Sequence, residues 1–246
     1  MFGFVLFTPD KYKRLYMKAY FSLLTGLAFV CSVFSVPAHA GGVGLAATRV
    51  IYNETASQAS LAVTNSDTHE RYLVQSWIED ISGTRSSDFA VTPPLFALSP
   101  KSENTLRIVY LGKPLPKDRE VVYWMNVKAI PSVNKEAIKG KNTLQLAVLS
   151  RIKLFMRPEG LDMGEQDAVN HLRFSQTAGK LIVSNPTPYY QSMVNITVGG
   201  KTLPNSMVEP KGNLSIPLPA GASGQVRFQI VNDYGALSAQ QIGQLE

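Results

Sequence analysis

Short runs of alternating apolar residues, broken by Pro, Gly and Asn, constrain this chain more than any other feature. Alternate side chains of a strand lie on opposite faces, so runs of this kind suit strands with one buried face. They occur at residues 49–52, 60–64, 72–78, 89–91, 104–111, 121–127 and 144–156. Further signals follow at 181–183, 193–198, 215–216 and 225–231. Asn65-Ser66-Asp67 and Thr92-Pro93-Pro94 punctuate the series, and no stretch carries a convincing helical period. The pattern predicts an all-β fold of the sandwich type. Pro, Gly and acidic residues gather between 157 and 167 and read as a linker. Two domains are expected, residues 41–160 and a smaller one at 161–246. Trp77 is expected in the core of the first.

The first forty residues stand apart from that fold. Lys11, Lys13, Arg14 and Lys18 form a basic start, an apolar run covers about 21–36, and Ala38-His39-Ala40 supplies small residues where a signal peptidase cuts. These features predict an export signal cleaved after Ala40, with Met1 or Met17 as the start. A membrane anchor is the rival reading, and the Ala-x-Ala site favours cleavage over it. The only cysteine, Cys31, leaves with the signal, so the exported protein relies on core burial rather than disulfides. Without residues 1–40 the net charge falls from +6 to +3. No run of Lys and Arg interleaves with aromatic residues, so nucleic acid is not an expected partner.

Residues that carry chemistry are sparse. His69 and His171 lie far apart with no acidic residue at ligand spacing, so no metal site is expected. Gly199-Gly200-Lys201-Thr202 looks like the end of a phosphate-binding loop, but position 195 is Asn where that loop needs Gly. A hairpin turn is the better reading, and no nucleotide is expected. There is no Gly-x-Ser-x-Gly elbow. The chain is not read as an enzyme, and neither catalytic residues nor a cofactor are assigned.

The stretch 144–158, LQLAVLSRIKLFMRP, is the most informative single segment. Leu144, Leu146 and Val148 share one strand face, and Arg151, Lys153 and Arg157 follow them. Such a run most simply reads as a core strand, but its place after a polar loop and its basic end could let it pair with another chain instead.

Several strings, taken in order, resemble the periplasmic chaperones of the chaperone–usher pilus pathway, the PapD-like family. They are Arg49, Gln75-Ser76-Trp77-Ile78, Thr92-Pro93-Pro94, Asp118-Arg119-Glu120, Leu144-Gln145-Leu146, Ile152-Lys153-Leu154-Phe155 with Arg157-Pro158, Asn185-Pro186-Thr187-Pro188-Tyr189-Tyr190, and Asn232-Asp233-Tyr234-Gly235. The moderate loop at 131–143 resembles the short-loop branch. The resemblance implies two immunoglobulin-like β-sandwich domains in a boomerang arrangement. It implies periplasmic localisation and a function in pilus assembly. The chaperone would complement pilus (fimbrial) subunits with a donor strand and deliver them to an outer-membrane usher.

The resemblance also assigns roles. Leu144, Leu146 and Val148 would form the donor strand. Arg49 and Lys153 would anchor the client's C-terminal carboxylate, and Arg151 reads as a solvated rim cation. Glu120, Arg157 and Asp233 would form an ion-pair network between the domains. Tyr189 and Tyr190 are expected to pack beneath a proline turn. A free chaperone has a self-capping dimer open to it. The rival functions are an exported immunoglobulin-like binding or adhesion module, which needs no paired Arg49 and Lys153, and a secreted hydrolase, against which the missing site residues argue.

Overall fold

The computed structural model describes residues 41–132, 139–140 and 144–245. The predicted export signal and most of the loop at 131–143 lie outside the described residues.

The first half builds two facing sheets. One holds β1 (Val43–Leu45), β3 (Ala59–Asn65), β7 (Ser102–Tyr110) and β5 (Phe89–Thr92), in that order. The other runs β2 (Arg49–Asn53), β9 (Val148–Arg157), β8 (Val121–Pro131), β4 (Tyr72–Glu79) and β6 (Leu95–Leu98). The chain changes sheets between β1 and β2, and β2 then runs parallel to β9. Alternation decides which side chains meet between the sheets. Val50 and Tyr52 of β2, Leu61 and Val63 of β3, Leu106 and Ile108 of β7, and Leu154 and Met156 of β9 are all buried in one core. Each fully buried side chain of this size contributes roughly 1.5–3 kcal/mol.

Trp77 is not in that core. On β4 the buried positions are Val74, Ser76 and Ile78, which puts Trp77 on the outer face. There its indole Nε1 donates to Glu79 Oε1 at 2.7 Å. Strand parity outranks side-chain size here: Ser76 faces inward because its neighbours do, and its hydroxyl donates to the Pro93 carbonyl.

The strand expected at 144–156 begins only at Val148. Ala129 of β8 pairs with Val148, and continuing that ladder would set Leu146 opposite Pro131, which has no N–H to give. Gln145 caps the ladder instead, its side-chain amide donating to the Pro131 carbonyl at 2.6 Å.

The second half forms a smaller sandwich. Its strands are β10 (Arg173–Thr177), β11 (Lys180–Asn185), β12 (Gln191–Val198), β13 (Lys201–Thr202), β14 (Ser206–Val208), β15 (Gly212–Pro217), β16 (Val226–Ile230) and β17 (Gln241–Leu245). β17 links its two sheets, antiparallel to β16 and parallel to β10. Phe174, Leu181, Val183, Met193, Ile196, Val198 and Phe228 fill the core. In β12 the inward face switches from odd to even numbers, because the register shifts between Val194 and Thr197 and Asn195 takes φ +51°. That is a β-bulge, and its extra residue moves Ile196 and Val198 inward. Gly199 and Gly200, both at positive φ, form the two-residue turn between β12 and β13, so this string is a hairpin. A short helix, α1 (Glu165–Ala168), sits within the expected linker.

Candidate functional site

The parallel register of β2 on β9 sets Arg49 directly beside Lys153. Both side chains leave the outer face of the five-stranded sheet, opposite the core residues Val50 and Leu154. Arg49 Nη1 donates to the Val231 carbonyl of the second sandwich at 2.7 Å. Its guanidinium lies 5.7 Å from the centre of the Phe155 ring. Arg49 Nε is buried with no hydrogen-bond partner. Lys153 Nζ reaches only a neutral oxygen, Ser192 Oγ, at 3.3 Å. Among the described residues neither cation has a carboxylate within ion-pair distance. Burial pushes Lys153 below the usual lysine range, and the like charge of Arg49 adds to this. Burial likewise lowers Arg49, opposed by the more distant Asp233, Glu165 and Glu120. Two neighbouring, desolvated cations with a spare N–H are chemically suited to an anionic partner.

Beside this pair, one edge of β9 is open. β2 covers β9 only from Lys153 to Arg157, whereas β8 covers it from Val148 to Met156. Residues 148–152 therefore have a strand partner on one side alone. The preceding segment carries apolar side chains into solvent: Leu144 is 85% exposed, Leu146 68% and Val148 59%. An open strand edge with exposed leucines is a template for strand addition.

Arg157 lies at the far end of β9 and is flanked by two carboxylates. Its Nε donates to Glu120 Oε1 at 2.7 Å, and its Nη1 and Nη2 donate to Asp233 Oδ2 and Oδ1 at 2.6 and 2.8 Å. The guanidinium also stacks on Tyr189, 5.0 Å from the ring centre. Glu120 is 3% exposed, and its second oxygen accepts the Tyr190 backbone N–H at 2.9 Å. Burial works against the Arg157 charge, but the bonds to Asp233 and the field of Glu120 outweigh it and raise its pKa. Glu120, Arg157 and Asp233, distant in sequence, thus meet where the sandwiches touch. Tyr189 and Tyr190, expected as packing residues, touch the network directly.

Arg151 is exposed, and it pairs with Glu79 at 3.0 Å and lies 4.5 Å from the centre of the Trp124 ring. Ser192, the Val231 carbonyl and Glu165 were not among the expected site residues. A serine, a main-chain oxygen and a glutamate in a presumed linker carry no sequence signal of their own.

Fold and site together define a class: a two-sandwich protein with an open strand edge next to two cations that lack carboxylate partners. Comparison with known proteins makes this specific. Residues 42–162 match the family "Pili and flagellar-assembly chaperone, PapD N-terminal domain", and residues 167–242 match "Pili assembly chaperone PapD, C-terminal domain". The probable fimbrial chaperone SfmC of Escherichia coli K12 is 51% identical over 207 residues, 84% of this chain and 90% of that protein. The chaperone protein FimC of the same strain is 44% identical over 227 residues, 92% of this chain and 94% of that protein. Among solved structures, the periplasmic chaperone SfaE matches with a TM-score of 0.73 and 43% identity, covering 82% of this chain and 99% of that one. A chain from the complex of Salmonella enterica SafA pilin with the SafB chaperone matches with a TM-score of 0.75 and 33% identity, over 83% and 97%. The chain belongs to the PapD family of pilus-assembly chaperones.

Proposed function

We propose that this chaperone binds pilus subunits by lending them the segment 144–152 and by holding their C-terminal carboxylate on Arg49 and Lys153. The observation that carries this reading is the open edge of β9 ending at an unneutralised pair of cations. A subunit lacking its last strand exposes an apolar groove. Leu144, Leu146 and Val148 would enter that groove, and three fully buried side chains of this size contribute up to about 5–9 kcal/mol. Main-chain hydrogen bonds along 148–152 ask little of the client's sequence, which suits several related subunits.

A lent strand can slip by two residues and keep the same face toward its partner. The cation pair removes that freedom, because a carboxylate fixed at Lys153 sets the register of everything upstream. Glu120, Arg157 and Asp233 fix the second sandwich against the first, so that Ser192 and Val231 complete the receptor wall. The protein works after export, in the periplasm, and passes its client to an outer-membrane usher without nucleotide, the next subunit's strand replacing the lent one. Without a client, the same edge is open to a second copy, which would cap it in a dimer.

The test is recovery of a co-expressed pilin subunit from periplasmic extracts. Leu146→Glu should abolish the stable complex, and Arg49→Ala or Lys153→Ala should reduce subunit recovery by tenfold or more, since charge-assisted bonds are each worth roughly 1.5–3 kcal/mol. Circular dichroism should show all three variants folded. Normal recovery with both cations replaced would overturn the anchor, and persistent complexes with Leu146→Glu would overturn the lent strand.

A further inference from the structure

A third acidic residue lies near Arg49, and the hydrogen bonds around Arg157 do not use it. Glu165 opens α1 and lines a small void together with Arg49, Phe155, Tyr190 and Asp233. Its side chain is partly buried. Among the described residues no cation lies within ion-pair distance of it. Asp233 and Glu120 are committed to Arg157, whereas the Glu165 carboxylate is uncommitted.

The groups facing Glu165 come from several elements. Arg49 approaches from β2 and Arg157 from β9, Asp233 from the loop after β16, and Tyr189 from the turn before β12. Arg157 is already saturated by two carboxylates. Glu165 feels both Arg157 and Arg49, and of the two Arg49 is the one with an unused donor.

We propose that Glu165 is the residue that sets the strength of the carboxylate receptor, opposing the client's terminal carboxylate at Arg49. The inference rests on the anchor reading above. An ionised Glu165 partly neutralises Arg49 and repels a second carboxylate that approaches Arg49, and both effects weaken the client's hold. Protonation of Glu165 removes both. Burial raises the Glu165 pKa, as does Asp233, with Arg157 and Arg49 opposing. A carboxylate arriving at Arg49 raises it further, so the client takes up a proton at Glu165 as it binds. Glu165 acts through Arg49 and is a positioning residue in this sense; it need not touch the client.

The probe is formate, which stays ionised over the range needed, titrated into the exported chain. The readout is the NMR signal of Arg49 Nε–H, with Lys153 Nζ as a second reporter. Formate should shift both signals. As pH falls from neutral toward the raised Glu165 pKa, formate affinity should increase in the native protein as Glu165 protonates. Glu165→Gln should bind formate about 3- to 10-fold more tightly at the upper end of that range, the size of one charge–charge term near a protein surface, and should lose the pH dependence. Glu165→Asp should retain the pH dependence, whereas a merely structural role would let neither variant change the pH profile. Formate shifts with equal affinity and equal pH dependence in native protein and Glu165→Gln would overturn the proposal and leave the anchor standing. No formate shift of Arg49 or Lys153 in either protein would overturn the anchor and this proposal together.

Discussion

At the scale of single residues, Lys153 is the most sensitive reporter of function. Burial and the neighbouring Arg49 favour its neutral form in the free protein. A bound carboxylate favours the charged form, so binding is full below the free-state pKa of Lys153 and is lost as pH rises through it. The measured affinity for a pilin subunit should therefore fall at a lower pH than an ordinary lysine would dictate, and Lys153→Arg should flatten the fall. A flat profile in the native protein would count against Lys153 as an anchor. Residue roles were unevenly legible in the sequence. Arg49, Lys153, Glu120, Arg157 and Asp233 could be singled out because each lies in a string that resembles the family's. Trp77 was misplaced because its size suggested a core, while the parity of Val74 and Ile78 placed Ser76 inside instead. Glu165 was invisible, since its surroundings come from distant parts of the chain.

At the scale of elements, β9 combines three functions by geometry alone. Its even-numbered residues Leu154 and Met156 hold the core, its odd-numbered residues Lys153 and Arg157 face the second sandwich, and its first half has an open edge. Hydrogen exchange measures that edge directly. Amides within residues 148–152 that do not pair with β8 should exchange quickly in the free protein and become protected when a pilin subunit binds, whereas those of 153–157 should change little. Protection confined to other strands would place the client elsewhere. The long strand β4 was readable because its burial alternates with period two, and β8, buried on both faces over much of its length, because it is rich in β-branched and aromatic residues. The short ones were not. β6 follows directly on Pro93 and Pro94, which read as the end of a strand, and β1 is three residues long. In β17, Gly243 interrupts the pattern, yet a glycine is what that strand needs, since any Cβ there would press into the Phe174 ring.

At the scale of the whole chain from residue 41 onward, the two sandwiches meet through few but directed contacts. Arg157 supplies three hydrogen bonds to two carboxylates, Glu120 bonds Pro188 and Tyr190 as well, and Lys211 reaches Asp118 at 2.9 Å. Removing one partner of a buried network leaves another unpaired, so Arg157→Ala should lower stability by about 3–5 kcal/mol. Thermal unfolding should show a lower Tm, and Asp233→Asn a smaller fall, because Glu120 still holds Arg157. An unchanged Tm in both would remove the network from the account of interdomain order. The exposed Lys211–Asp118 pair should matter little and only at low salt. Gly235 gives an independent check. It has φ +80°, and a Cβ there would overlap Thr48 of the first sandwich. Gly235→Ala should therefore disturb both the loop and the packing between sandwiches, lowering Tm and subunit recovery together.

The ladder between β8 and β9 stops because Pro131 has no hydrogen to donate, and residues 144–147 are left outside any strand. If this segment is lent as proposed, those residues would take up strand geometry with each client. Fixing four residues costs up to roughly 4–8 kcal/mol of backbone entropy, a sum close to what the three apolar side chains would supply. On that reading one proline would make capture reversible. A segment already held as strand would grip its client too tightly to be exchanged, whereas this one lets a competing strand of ordinary strength take its place.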